Sequence, residues 1–158
     1  MLIYDYRIFY KGIAMTLINH SIVINRPPEE VFAFVTDTRN DSKWWKPVIE
    51  TEKITPGEIT VGTKFRQTSK VLFITINSVL GILEWNPPHA VKYRNESPQL
   101  PYNLLYQFEA VEGGTHFSLE AELEMKGVLK LLKPIIMQTL QGQLKTYFGL
   151  LKQVMEQS

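Results

Sequence analysis

The amino-acid sequence predicts an α+β fold: a strongly curved, seven-stranded antiparallel sheet wrapped around one long C-terminal helix, with two short helices between strands one and two. Three observations predict it. After Pro47 the texture is β for roughly eighty residues, with mostly short links that suit antiparallel neighbours. The clearest strand, "THFSLEAELEM" (115–125), sets Phe117, Leu119, Ala121, Leu123 and Met125 on one face and His116, Ser118, Glu120, Glu122 and Glu124 on the other. From Gly127 the period turns helical: Leu129, Leu132, Ile136, Leu140, Leu144, Tyr147, Leu151 and Met155 recur every three or four residues. The sheet has one apolar face to bury, and the terminal helix is the only large cover available.

The elements follow in order. "MLIYDYRIFYKGIA" (1–14) is apolar but broken by Asp5, Arg7 and Lys11, so it lacks the uninterrupted apolar centre of a secretory signal. It reads as an N-terminal extension, poorly ordered or an extra edge strand, ahead of a single domain over residues 15–158. "TLINHSIVIN" (16–25) is a strand by its β-branched content. In "RPPEEVFAFV" Pro27 and Pro28 suit a helix start, and Glu29 and Glu30 fall where the helix dipole favours acids. Val31, Phe32 and Val35 then turn inward. Asp37, Thr38 and Asp41 are plausible caps for a second short helix through Trp44 and Trp45, which Pro47 ends. This pair of helices reads as a lid or corner.

"VIETEKI" (48–54) is the second strand. "TKFRQTSKVL" (63–72) sets Phe65, Gln67, Ser69 and Val71 against a wet face of Lys64, Arg66, Thr68 and Lys70. "FITINSVLGILEW" (73–85) is apolar on both faces, so part of both is expected to be covered. "VKYRNE" (91–96) and "YNLLYQFEAV" (102–111) follow, the latter with Leu104, Tyr106 and Phe108 on one face. Gly113 and Gly114 mark a tight hairpin. Pro134 should kink the last helix or set off a short first segment, and Gly142 and Gly149 read as places for another element to come close.

Composition excludes several functions. There is no cysteine, hence no disulfide scaffold, thiolate metal site or cysteine nucleophile. Net charge is +1, which gives no argument for nucleic acid. No apolar run reaches the ~18 residues of a membrane span. His20, His89 and His116 are scattered without metal spacing, and no G-x-S-x-G is present. Glu120, Glu122 and Glu124 read as a strand's solvent face, and Lys126, Lys130 and Lys133 as a solvated helix face. Asn-x-Ser triplets at Asn19, Asn40 and Asn95 read as chance. A cytoplasmic location is the expectation, and no metal or other cofactor is implied.

Several segments together resemble a known superfamily. They are "SIVINRPPEEVFAFVTD" (21–37), "WWKPV" (44–48), "GTKFRQTSK" (62–70), "LEWNPPHAVKYR" (83–94), "YQFEAVEGGTHFSLEAELEMKG" (106–127) and "LLKPIIMQTLQGQLKTYFGLLKQVME" (131–156). Each is degenerate; their order is the signal. The chain is similar to the START / Bet v 1-like (SRPBCC) helix-grip superfamily, and most of all to its bacterial polyketide cyclase/dehydrase-like branch. That resemblance implies the helix-grip fold. It does not imply cyclase activity, because the group includes ligand carriers and partner-binding proteins.

A helix cannot fill the whole concavity of such a sheet, so a cavity between the two is the expected working site. Its candidate ligand-binding residues are Trp45, Phe65, Gln67, Tyr93, Tyr106, Phe108 and Phe117, with Ile136, Met137 and Leu140 from the helix. Gln67 and Tyr106 are polar on apolar faces and must find a partner: a water, a ligand oxygen, each other or backbone. Three functions fit. The first is binding of a hydrophobic small molecule: a lipid, a quinone or a polyketide-like ring. The second is cyclase or dehydratase-type acid–base chemistry without metal, with Tyr106 as the candidate catalytic residue. The third is docking on a protein partner, as the resemblance implies for relatives that meet ribosomes or chaperones. Of the adjacent tryptophans, Trp45 is expected inward beneath the short helices, near the cavity mouth, since Val48 and Ile49 follow it. Trp44 is expected to be partly exposed.

Overall fold

Strand β1 (Thr16–Ile24) runs into helix α1 (Pro28–Thr36), a short 3-10 helix (Thr38–Lys43) and β2 (Val48–Lys53). Five more strands follow: β3 (Lys64–Val71), β4 (Ile74–Asn86), β5 (Ala90–Glu96), β6 (Tyr102–Val111) and β7 (Gly114–Leu123). The chain closes with a single turn, α2 (Val128–Leu131), and the long α3 (Lys133–Glu156). This computed structural model describes residues 15–158, and the reading of residues 1–14 as an extension or edge strand lies outside them. The strands form one antiparallel sheet in the order β1-β7-β6-β5-β4-β3-β2. All links from β2 to β7 join neighbours; only β1 is placed across the sheet, and the two short helices make that crossing.

The period-2 strands bury the faces their sequences mark. Phe117, Leu119, Ala121, Leu123 and Met125 are all buried, as are Leu104, Tyr106 and Phe108 of β6. In α1, Pro28 occupies the first turn with Glu29 and Glu30, and Val31, Phe32 and Val35 turn inward. Of the two outcomes expected at Pro134, the structure takes the second. Pro134 sits in the first turn of α3, where its missing N–H is not needed, and α2 is the separate short segment before it.

Three expectations are corrected. The outer face of β4 is left largely open: Val79 is half-buried, but Leu83 is exposed. Among the described residues no further layer covers it. Among the described residues no other element comes close to Gly142 or Gly149: apart from their chain neighbours and the helix's own backbone, nothing lies within 4 Å of where their Cβ atoms would stand. The buried stripe of α3 passes through Phe148, not Tyr147: Leu144, Phe148, Leu151 and Met155 are buried while Tyr147 is half-exposed. Spacings of three and four both satisfy a helical period, and the step after Leu144 is four.

Gly114 is where close approach is essential. A Cβ there would stand 2.1 Å from the Ile24 carbonyl oxygen, backbone that cannot swing away. Gly114→Ala is therefore expected to cost at least about 1–3 kcal/mol, read as a lower denaturation midpoint. Gly142→Ala, in open space on a helix, is expected to gain roughly 0.5–1 kcal/mol. Equal midpoints for the two variants would contradict this packing.

The C-terminal end of α3 is tied to the β1–α1 corner. Arg26 donates from Nε to the Met155 carbonyl (3.2 Å) and from Nη2 to the carbonyls of Glu156 (3.1 Å) and Ser158 (2.8 Å). A cation at this end satisfies helix carbonyls that have no partner further along the chain. Lys152 Nζ donates to the Val23 carbonyl (2.8 Å), and the Asn25 amide donates to Glu156 Oε1 (2.8 Å). At the other end, Leu131 of α2 and Ile135 in the first turn of α3 are exposed.

Candidate functional site

The concavity between sheet and α3 is filled at one end and hollow at the other. At the filled end, aromatic rings meet edge to face and in stacks. Trp44 lies 5.7 Å from Phe148 and 6.4 Å from Phe117, and Phe117 stacks on both Phe148 (5.5 Å) and Phe108 (5.1 Å). Toward the start of α3 the facing residues are aliphatic and shorter. There a cavity of about 230 Å3 remains, walled by Ile18, Leu80, Leu104, Leu119, Ile136 and Leu140 among others. Its rim includes Pro47, Leu72 and the Trp45–Tyr147 pair, whose rings are 5.1 Å apart.

One polar stripe crosses this apolar wall. Gln67 on β3 donates from Nε2 to Asp41 Oδ2 (3.0 Å) and Thr51 Oγ1 (3.1 Å). Ser78 on β4 donates a long hydrogen bond to the Gln67 carbonyl (3.5 Å), and Asn95 on β5 donates from Nδ2 to Ser78 Oγ (3.2 Å). Tyr102 on β6 stands opposite Asn95 in register. Asp41, Gln67, Ser78, Asn95 and Tyr102 all line the cavity. Two oxygens of the stripe have no partner among the described residues, Asp41 Oδ1 and Asn95 Oδ1.

Burial dominates the electrostatics. Removal from water pushes the Asp41 carboxyl up to about 8; the Gln67 hydrogen bond opposes this and the nearby Asp37 charge adds to it. Asp41 therefore carries its proton at neutral pH. Burial also pushes Tyr102 up to about 12, with the Asn95 side chain opposing it. Burial holds Tyr93 and Tyr106 well above the ordinary phenol range, with the Asp41 charge acting in the same direction. Tyr106 is thus a hydrogen-bond donor in this cavity and cannot act as a base near neutral pH.

A family model described as polyketide cyclase / dehydrase and lipid transport matches residues 15–156. The chain belongs to this family. No curated protein matches it in sequence. Its fold is similar to that of TTHA0849 from Thermus thermophilus (TM-score 0.74, 17% identity, covering 89% of this chain and 97% of that one). It is similar to the Zhui aromatase/cyclase from Streptomyces sp. R1128 (TM-score 0.69, 12% identity, covering 90% and 94%). It is also similar to Ara h 8.0201 (TM-score 0.66, 17% identity, covering 92% and 100%). At these identities the likeness is one of fold, and it places the chain among helix-grip proteins.

In this polyketide cyclase / dehydrase and lipid transport family member, the sequence-predicted site residues separate into two groups. Trp45, Gln67, Tyr106, Ile136 and Leu140 line the cavity. Phe65, Tyr93 and Phe117 do not; they are fully buried in the packed core, and Tyr93 spends its hydroxyl on the Thr36 carbonyl (2.8 Å). Phe108 belongs to the aromatic end and edges a separate, more open cleft of mixed polar and apolar lining beside His89 and His116. Met137 is half-buried against the core beside the cavity-lining Ile136. A face assignment cannot distinguish core from cavity wall, because the hollow depends on how large the opposing side chain is.

The tryptophan order is reversed. Trp44 is 0% exposed and Trp45 is half-buried at the cavity rim. The 3-10 helix ends at Trp44, whose backbone N–H is bonded to the Asp41 carbonyl, and this turn aims its ring at Phe148. Asp41 is the buried cavity-lining residue that sequence reasoning missed; it reads locally as a cap. A signal was present: Asp41 precedes Trp44 by three residues, so in a helical turn the two share a face. Inward Trp44 brings Asp41 inward with it. Among the described residues, no group of three or more His, Asp or Glu is placed to hold a metal, and no helix is long and apolar enough to cross a membrane.

Proposed function

We propose that the protein binds a hydrophobic small molecule, a lipid, a quinone or a polyketide-like ring, between the sheet and α3. The observation that carries this reading is the cavity of about 230 Å3, whose walls are mostly apolar, crossed by the buried polar stripe and with Ser69, Lys70 and Thr139 also in its lining. Membership in a family that spans ring-forming enzymes and lipid transport is consistent with it. A ligand burying ~200 Å2 of apolar surface gains roughly 5 kcal/mol, and the loss of free motion offsets part of that. Ala121 lines the hollow, so Ala121→Phe is expected to fill it. Native mass spectrometry should find bound adducts on the unmodified chain after challenge with mixed lipids, ubiquinone and an aromatic polyketide, and at least tenfold less on Ala121→Phe. Bare chain mass throughout, from several expression hosts, would sink the reading.

Asp41 favours a second reading, cyclase- or dehydratase-type chemistry. A protonated carboxyl among apolar walls, with a free oxygen, is what a general acid acting near neutral pH requires. Under this reading Asp41 protonates a departing or enolising oxygen, and Tyr106 holds the substrate by donating a hydrogen bond.

A further inference from the structure

Two side chains of the polar stripe are more than nine-tenths buried and incompletely bonded. Asp41 is 7% exposed and Asn95 2%, both line the cavity, and each keeps one oxygen without a partner among the described residues. Leaving such oxygens unmet is costly, about 1–3 kcal/mol each. The two are not equivalent. Asp41 receives the Gln67 amide on Oδ2, so its proton belongs on Oδ1, which makes that oxygen a donor. Asn95 has its Nδ2 engaged with Ser78, so its Oδ1 is an acceptor only. The stripe therefore presents one donor and one acceptor. Asn95 lies two strands from Gln67, about 10 Å at the usual strand spacing, and Asp41 stands beyond Gln67, held to it by the Gln67 amide. Room is limited: a cavity of about 150 Å3 admits benzene, and this one holds about 230 Å3.

We propose that the ligand is a small ring compound with oxygen at two ends, a carbonyl that accepts from Asp41 Oδ1 and a hydroxyl that donates to Asn95 Oδ1. This rests on the reading of the cavity as a small-molecule site and narrows it to hydroxylated ring ketones and their kin. A charged carboxylate ligand would face Asn95 Oδ1 with no donor to offer. A hydrocarbon would leave both oxygens unmet.

The test uses five probes of similar size on the full chain, with binding followed by calorimetry at pH 6.5: 4-hydroxyacetophenone, acetophenone, 4-ethylphenol, ethylbenzene and tyramine. The hydroxy-ketone is expected to bind tightest, each missing oxygen weakening binding about tenfold. Asp41→Leu should abolish the preference for the carbonyl and leave the preference for the hydroxyl. Asp41→Asn, which can still donate, should keep both, and Asn95→Leu should abolish only the hydroxyl preference. If all five probes bind equally, the cavity is a binding site but the stripe is satisfied by water, and the proposal fails alone. If tyramine binds tightest, Asp41 is an anionic partner for a cation, and the proposal again fails alone. If none binds, the proposal and the small-molecule reading fail together.

Discussion

Asp41→Asn is expected to raise the stability of the protein at pH 7.5 by about 5 kcal/mol, roughly 10–20 °C in melting temperature for a chain of this size. The reason is the buried carboxyl. In the unfolded chain Asp41 has the ordinary value of 3.8, and in the fold it is raised to about 8. Between those values the folded state holds a proton that the unfolded state has released. Stability therefore falls as pH rises across this window, by about 1.4 kcal/mol per unit for this one group. Below pH 3.8 both states are protonated and the contribution is fully present. Above about 8 both are ionised and it is fully lost. Asparagine cannot ionise, so it escapes the loss while still able to accept from Gln67. Melting temperatures of the two proteins from pH 4 to 9 test this. The gain of the variant should shrink toward zero at the acid end, and parallel curves would show that Asp41 is not held neutral by the fold.

The second large effect concerns the tryptophan pair. Trp44→Ala is expected to cost about 3–5 kcal/mol, because the ring is the centre of the aromatic end of the concavity, in contact with Phe117 and Phe148. Trp45→Ala is expected to cost about 1 kcal/mol, since its ring leans on Tyr147 at the cavity rim. Urea denaturation midpoints separate the two. Equal losses, or a larger loss at Trp45, would overturn the burial order. The comparison also distinguishes the roles: Trp45→Ala opens the rim and should change ligand binding more than stability.

Much of the fold was legible because its signals are local and redundant. Five inward residues of β7 and its extension all point the way their alternation indicates, and Pro28 with Glu29 and Glu30 marks the start of α1. Two of the errors have a common origin. Tyr147 and Phe148, and Trp44 and Trp45, are neighbours of similar character. Choosing between them needs the phase of a helix or the geometry of a turn to within one residue. Helical periodicity allows steps of three or four, so it does not supply that phase.

The candidate site was legible only in outline. Gln67 and Tyr106 stood out as polar residues on apolar faces, and both line the cavity. Asp41 did not stand out, because in "TDTRNDSK" it is one of several polar residues with an obvious capping role. The cap is in fact Asp37, whose Oδ1 accepts from the Arg39 amide at 3.2 Å. That leaves Asp41 free to turn inward.

What the sequence by itself determined is the order of elements and the side of each strand that faces the core, since alternation and helical period are written along the chain. Only the tertiary structure decided where the interior is filled and where it is hollow. Phe108, Phe117, Phe148 and Trp44 come from four separate parts of the chain and converge at one end. Leu, Ile and Ala converge at the other, with Asp41 and Asn95 set among them. Side-chain volumes summed across the sheet leave the cavity, and burial within it protonates Asp41. Both depend on residues distant in the chain, which no local pattern brings together.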